Sequence, residues 1–306
     1  MTALPPVADM VAALEAGVTF LPPRPDNTSA ALIERYPELE PVTVEELAIH
    51  GPHGPVPARL YRPPAPAGPA LLWLHGGAFI AGDLDMPEAN WVGLFLASRG
   101  VMVVSADYRK ALNGVCYPVP ADDVLAAWRW TSAARLPGTT TLHLGGASAG
   151  AALAAGVTKR LRDGAGPLPG SLILVYPLVH PRLPPPSEAL RRRLDSMPEG
   201  GLVFSDEAIA ELSLHFVGGS PAALEDPYAF AGKGELSGQP PVLIINADYD
   251  RLRASGEAYA AALRDSGVEV VEITEPGAVH GHLNEPRLAQ AARTLERMAT
   301  WMVARS

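Results

Sequence analysis

Cysteine is nearly absent from this chain of 306 residues. Cys116 stands alone, so no disulfide can form within the chain, and the composition suits a reducing compartment. Cys116 lies in no recognisable nucleophile context and reads as a small, partly buried side chain. The N-terminus lacks the basic start of a secretory leader. No Lys or Arg precedes Arg24, and Pro5, Pro6, Asp9 and Glu15 interrupt any apolar run there. No stretch is long and apolar enough to span a bilayer. A soluble, cytoplasmic protein is the expectation. An excess of positive charge is lacking too. The formal net charge is -9, and a like-signed field disfavours nucleic acid and anionic membrane as partners. Internal repeats and extended low-complexity tracts are also missing.

What is present is the composition of an ordinary globular protein, with 48% hydrophobic and 19% charged residues. The length suffices for one large single-sheet domain with insertions over residues 1–306. Residues 1–40 carry two short amphipathic stretches, Val7–Ala16 and Ser29–Arg35, around the breaker-rich run Leu21–Asn27. They read as a cap segment laid over a core. From Val42 to Tyr61, alternating runs flank Gly51, Pro52 and Gly54, which predicts a β-hairpin. Pro63–Pro69 reads as a surface link. Apolar runs of strand length then follow at Leu71–Leu74, Val101–Ser105, Leu142–Leu144, Leu172–Tyr176, Val242–Asn246 and Val268–Ile273. Helix-period stretches separate them at Ala89–Ser98, Asp122–Ala133, Ser148–Leu161 and Gly256–Arg264, and Pro286–Val303 closes the chain. Strands that are apolar throughout, alternating with helices, imply a mainly parallel sheet covered on both faces. Residues 178–227 break this rhythm with a proline cluster (Pro181, Pro184, Pro185, Pro186), the basic run Arg191–Arg193 and a helix starting near Ser205. The insert is too long for a plain loop and reads as a cap over the site. Arg191–Arg193 reads as a solvated helix face, with docking of an acidic partner as the less favoured alternative.

The segment Gly146-Ala147-Ser148-Ala149-Gly150 fits G-x-S-x-G between an apolar strand and an alanine-rich helix. That context marks a nucleophile elbow. The serine occupies a tight turn with strained backbone, and glycine is needed two residues to either side, where backbone approaches backbone. Ser148 is therefore the candidate nucleophile. His75-Gly76-Gly77-Ala78-Phe79 directly follows the strand Leu71–Leu74. Consecutive glycines let amides turn toward one point, as an oxyanion hole requires. Gly76 and Gly77 are the expected donors with Ala149 as the third, and His75 is expected to support the loop by hydrogen bonding.

Elbows of this kind are followed in the chain by an acid and then a histidine. The loop after Val242–Asn246 supplies Asp248 and Asp250. The loop after Val268–Ile273 supplies His280 and His282. A base must take the serine proton, and a carboxylate must fix its tautomer. Either acid and either histidine meets that description. The acid left over is expected to pair with Arg251 or Arg253, and His143, inside a strand, is expected to be structural. A metal hydrolase built on H-x-H and D-x-D is a weaker alternative, because it leaves the elbow unexplained. A non-catalytic binder of small molecules on the same fold is another.

Further segments carry a resemblance: Ser105-Ala106-Asp107-Tyr108-Arg109, Tyr117-Pro118 with Asp122-Asp123, Tyr176-Pro177, Asp250-Arg251-Leu252-Arg253 and Val279-His280-Gly281. With the elbow and the glycine loop, they make the chain resemble the hormone-sensitive-lipase-like (bacterial type IV) carboxylesterases from about residue 70 to the end. The resemblance implies an α/β-hydrolase fold with a mainly parallel eight-stranded sheet and a helical cap. It selects Asp250 over Asp248 and His280 over His282. It implies a serine carboxylesterase that hydrolyses short- to medium-chain esters through an acyl-enzyme, with no cofactor and no metal. Thioester, lactone and amide substrates stay open, as does a homodimer. The chain departs from the family at Ala78 (usually glycine), Ala147 (usually acidic), His282 (usually aromatic) and Lys110–Pro118.

Overall fold

The hairpin and the six apolar runs join into one sheet. The computed structural model describes residues 2–3, 5–18, 26–65, 67–134, 136–197 and 202–306. Most of the breaker run Leu21–Asn27 therefore lies outside the described residues. In chain order the elements begin with β1 (Thr2–Ala3), α1 (Val7–Glu15) and α2 (Ser29–Arg35). The hairpin β2 (Thr43–Gly51) and β3 (Gly54–Arg62) leads into β4 (Gly68–Leu74), so the link after the hairpin is shorter than its prolines suggest. Alternation follows: α3 (Asn90–Ser98), β5 (Met102–Ala106), α4 (Val119–Ala133), β6 (Thr139–Ala147), α5 (Ala149–Arg160) and β7 (Leu172–Val175). The insert contributes α6 (Glu188–Asp195), β8 (Leu202–Val203) and α7 (Asp206–Phe216). The chain ends with β9 (Val242–Tyr249), α8 (Arg253–Asp265), β10 (Val270–Val279) and α9 (Ala289–Val303).

The eight-stranded sheet has the order β10-β9-β7-β6-β4-β5-β3-β2. Six strands run parallel from β10 to β5, and β3 pairs antiparallel with both β5 and β2. Successive side chains on a strand point to opposite faces, and both faces here are apolar. Ala70, Leu72 and Leu74 join one core with residues of α4, α5 and α8. Leu71 and Trp73 join the other with residues of α3 and α9. Each such aliphatic side chain contributes about 1.5–3 kcal/mol by leaving water. Burial on both sides is why these strands read as unbroken apolar runs.

Among the described residues the insert forms two α-helices where the residue pattern suggested one. α6 is hard to read because it is mostly charged and buries only Leu190, yet Ser187 caps it, its hydroxyl accepting from the Leu190 N–H at 3.2 Å. Ser205 caps α7 in the same way, accepting from Ala208 N–H at 3.1 Å. The insert meets the N-terminal segment directly. β1 pairs with β8 in parallel, Thr2 opposite Leu202. Among the described residues no helix is long and apolar enough to cross a membrane.

Candidate active site

Ser148 stands at the junction of β6 and α5 with φ 52° and ψ -117°. Left-handed backbone of this kind costs a non-glycine residue energy and persists only where the surroundings impose it. The two elbow glycines show how it is imposed. A Cβ at Gly146 would lie 2.5 Å from the carbonyl of Gly150. A Cβ at Gly150 would lie 2.3 Å from the Leu74 oxygen and 2.4 Å from the His75 oxygen. The elbow thus packs backbone to backbone against the end of β4, which is where the glycine loop begins. Gly150→Ala is expected to destabilise the fold by about 1–3 kcal/mol and to displace that loop. Urea unfolding, together with kcat measured well below the midpoint, reads both effects.

Three loops at the carboxyl ends of β6, β9 and β10 bring Ser148, Asp250 and His280 together. The Ser148 hydroxyl donates to His280 Nε2 at 3.0 Å. His280 Nδ1–H donates to Asp250 Oδ2 at 2.7 Å. Asp250 Oδ1 accepts the Leu252 N–H at 2.9 Å, which fixes the carboxylate plane. Asp250 is 1% exposed and Ser148 7%. Burial opposes a charged imidazole at His280, but the adjoining Asp250 carboxylate outweighs it and raises the pKa above its ordinary 6.5.

The glycine loop needs one correction. Gly76 was the expected first oxyanion donor, but its N–H donates to the carboxylate Oε2 of Glu88. An amide engaged by a buried acceptor is not free for a reacting oxygen. Among the described residues the amides of Gly77 and Ala78 donate to no other group. Ala149, first residue of α5, has no carbonyl of its own helix to bond. Gly77 has φ 119°, and a Cβ there would lie 2.0 Å from the Ala81 oxygen, so only glycine fits. Ala78 follows at φ 55°. His75 is fully buried. Its ring nitrogens face the Gly76 carbonyl at 2.6 Å and the Asp107 carboxylate at 3.1 Å, and its ring stacks on Tyr108. This geometry holds the loop.

The second members of each pair lie apart from the serine. Asp248 accepts two hydrogen bonds from Arg193, at 2.9 and 2.6 Å, and one from the Gly277 N–H at 2.9 Å. It also contacts Arg253. Arg251 instead reaches Asp206 at 2.9 Å and the Pro184 carbonyl at 3.1 Å. Arg191 and Arg192 are exposed, as a solvated face should be, but Arg193 is half-buried and engaged. His282 is buried against Thr294 Oγ1 at 2.9 Å, and burial pushes its pKa down to about 4. His143 is buried against Ser171 Oγ at 2.8 Å. Among the described residues no group of three His, Cys, Asp or Glu side chains is placed to hold a metal ion.

Two neighbours of the site escape a reading of residue types. Phe204, from the insert, sets its ring edge-on to His280 with centroids 4.8 Å apart. Glu88, in the turn before α3, is 2% exposed and also accepts from the Tyr176 hydroxyl. The one clue to Glu88 in the sequence is a lone charge at the head of an otherwise apolar helix.

Comparison with known proteins adds the following. The alpha/beta hydrolase fold family matches residues 71–284. Esterase LipI of Mycobacterium tuberculosis is 33% identical over 269 residues, covering 84% of this chain and 79% of that protein. The ethyl acetate hydrolase of Pseudomonas putida is 31% identical over 276 residues, covering 86% and 83%. Among solved structures, the hyperthermophilic esterase of the archaeon Pyrobaculum calidifontis superposes with a TM-score of 0.76 at 28% identity, covering 99% of both chains. EstE1, a thermostable carboxylesterase from a metagenomic library, gives 0.76 at 26% identity over 91% and 97%.

Proposed function

The chain belongs to the alpha/beta-hydrolase family, among the hormone-sensitive-lipase-like carboxylesterases, and is a carboxylic ester hydrolase; from that premise we propose that Ser148, His280 and Asp250 perform acyl transfer in two steps. The observation that carries the reading is the unbroken chain of hydrogen bonds from Ser148 through His280 to Asp250, at 3.0 and 2.7 Å. Asp250 holds the proton on Nδ1, which leaves Nε2 with a lone pair for the serine proton. Ser148 Oγ attacks the ester carbonyl as its proton passes to Nε2. The carbonyl oxygen takes up the negative charge, and the amides of Gly77, Ala78 and Ala149 hold it. Each donor is worth roughly 3 kcal/mol of barrier. Collapse breaks the bond to the alkoxide, His280 returns the proton to it, and the alcohol leaves. Water, deprotonated by the same nitrogen, then frees the acid and restores the serine.

The insert 178–227 and the N-terminal segment 1–40 act as a cap, supported by the β1–β8 pairing and by Phe204 at the imidazole. The aromatic edge of Phe204 beside the base narrows the space next to the serine and favours short- to medium-chain esters. The single half-buried thiol, Cys116, suits a cytoplasmic setting. A serine-reactive phosphonate is expected to add once per chain, at Ser148, and p-nitrophenyl acetate to give a burst of one p-nitrophenol per active chain. Labelling elsewhere with full loss of activity would overturn the assignment.

The pH profile follows from His280. The base works only when neutral, and its pKa lies above 6.5. The ratio kcat/KM is therefore expected to fall as pH drops through a value above 6.5, with the loss complete at lower pH. Replacement of His280 by Ala should abolish this acid limb together with nearly all of kcat, and an unchanged limb and rate in His280→Ala would remove His280 from the role.

A further inference from the structure

Glu88 is a buried carboxylate that the acyl-transfer steps leave unused, yet its two oxygens reach three parts of the site. Oε2 accepts from the Gly76 N–H. Oε1 accepts from the Tyr176 hydroxyl and from the Asn284 side-chain amide, the latter at 3.3 Å. The Glu88 backbone is held in turn, its N–H donating to Asn284 Oδ1 at 3.4 Å and its carbonyl accepting from the Trp73 indole at 2.7 Å. Gly76 opens the oxyanion loop. Tyr176 follows β7, and its ring lies 4.8 Å from that of His280 and 5.1 Å from that of His282. Asn284 ends the short helix His282–Asn284 that follows the base.

Backbone strain gathers at the same place. Among the described residues, the non-glycine residues with positive φ are Ala78, Phe79, Asn113, Ser148 and Tyr176. All but Asn113 belong to the elbow or to the loops that Glu88 touches. Strained backbone needs outside contacts to fix it. A carboxylate is the side chain that can receive three donors while presenting none of its own.

We propose that Glu88 is a positioning residue for this esterase: it holds the oxyanion loop so that the Gly77 and Ala78 amides face the reacting oxygen, and it fastens that loop to the base through Tyr176 and Asn284. The proposal rests on Ser148 being the nucleophile. Its charge also acts at a distance. His280 is faced by Asp250, Glu88, Tyr176, His282 and Phe204, and of these the Glu88 carboxylate adds to Asp250 in favouring the protonated imidazole.

Glu88→Gln changes almost no volume but turns an amide NH2 toward donors that need an acceptor. Per serine titrated with a phosphonate, kcat for p-nitrophenyl acetate is expected to fall roughly a hundredfold, the scale of one lost oxyanion donor. KM should stay within about threefold, and the acid limb of kcat/KM should move to lower pH. Glu88→Asp keeps the charge on a shorter arm, so its limb should stay in place while kcat still falls. Parent kcat per titrated serine with an unmoved limb in Glu88→Gln, whatever the change in unfolding temperature, would overturn the proposal. So would parent kcat per titrated serine in Glu88→Asp, which decides the matter should Glu88→Gln fail to fold. Failure of the parent to label at Ser148 would instead count against the nucleophile.

Discussion

Ser148→Ala is expected to lower kcat for p-nitrophenyl acetate by on the order of a millionfold, the usual cost of removing the nucleophile from such a triad. The substitution takes away the oxygen that forms the covalent bond and leaves the rest in place. The oxyanion amides and His280 would still favour attack by water, so a residual acceleration of about 10³–10⁴ over the uncatalysed reaction should survive. Stability should barely change. Among the described residues the hydroxyl makes one hydrogen bond, to His280, and alanine shares the backbone preferences of serine at φ 52°. The variant should therefore unfold within a few degrees of the parent while losing phosphonate labelling. A rate within tenfold of the parent would abolish the proposed mechanism.

Asp250→Asn is the second large effect, expected at about 10⁴-fold in kcat. The direction follows from the hydrogen bonds around the carboxylate. Oδ1 accepts the Leu252 N–H, so the amide of asparagine keeps its oxygen there and places its NH2 where Oδ2 stood. That NH2 donates to His280 Nδ1 and forces the proton onto Nε2. The nitrogen facing Ser148 is then a donor and cannot take the serine proton. Loss of the Asp250 charge should also carry the acid limb to lower pH, because that charge is the largest of the influences that raise the pKa of His280. Asp248→Asn provides the contrast. Its partners are Arg193, Arg253 and Gly277, with no imidazole among them, so kcat should stay within about tenfold of the parent. Equal losses in the two variants would mean that the acid has been wrongly assigned.

How far these residues could be read beforehand depends on the kind of information each needs. Ser148 was legible because its turn demands glycine at 146 and 150, and that demand is local. Asp250 and Asp248 were not separable by residue type alone. They stand two positions apart at the carboxyl end of one strand, Asp248 inside β9 and Asp250 just past it, and what divides them is which residues each meets. The family resemblance pointed to Asp250, and the structure brings that residue to His280. The oxyanion loop was legible as a loop but not in its register. Which amides face the serine depends on φ 119° at Gly77 and 55° at Ala78, and the composition says nothing about dihedral sign. Glu88 showed in the sequence only as a charge ahead of an apolar helix, because its role depends on partners, Gly76, Tyr176 and Asn284, that come from three separate segments. Helix α6 escaped for another reason: a helix that buries only Leu190 has almost no apolar stripe to find.

The contacts between the insert and the acid loop are largely ionic, and this makes them sensitive to dissolved salt. Arg193 meets Asp248, stacks over Tyr249 at 4.4 Å, and answers the reverse pair of Arg251 with Asp206. Counterions screen partly exposed pairs of this kind, with a Debye length of about 8 Å at physiological ionic strength. Apolar contacts feel no such screening. Asp248 also holds the Gly277 amide, three residues ahead of His280. One carboxylate thus ties Arg193 of α6 to the backbone stretch that leads to His280, so salt that loosens the Arg193 pair acts on a side chain the two segments share.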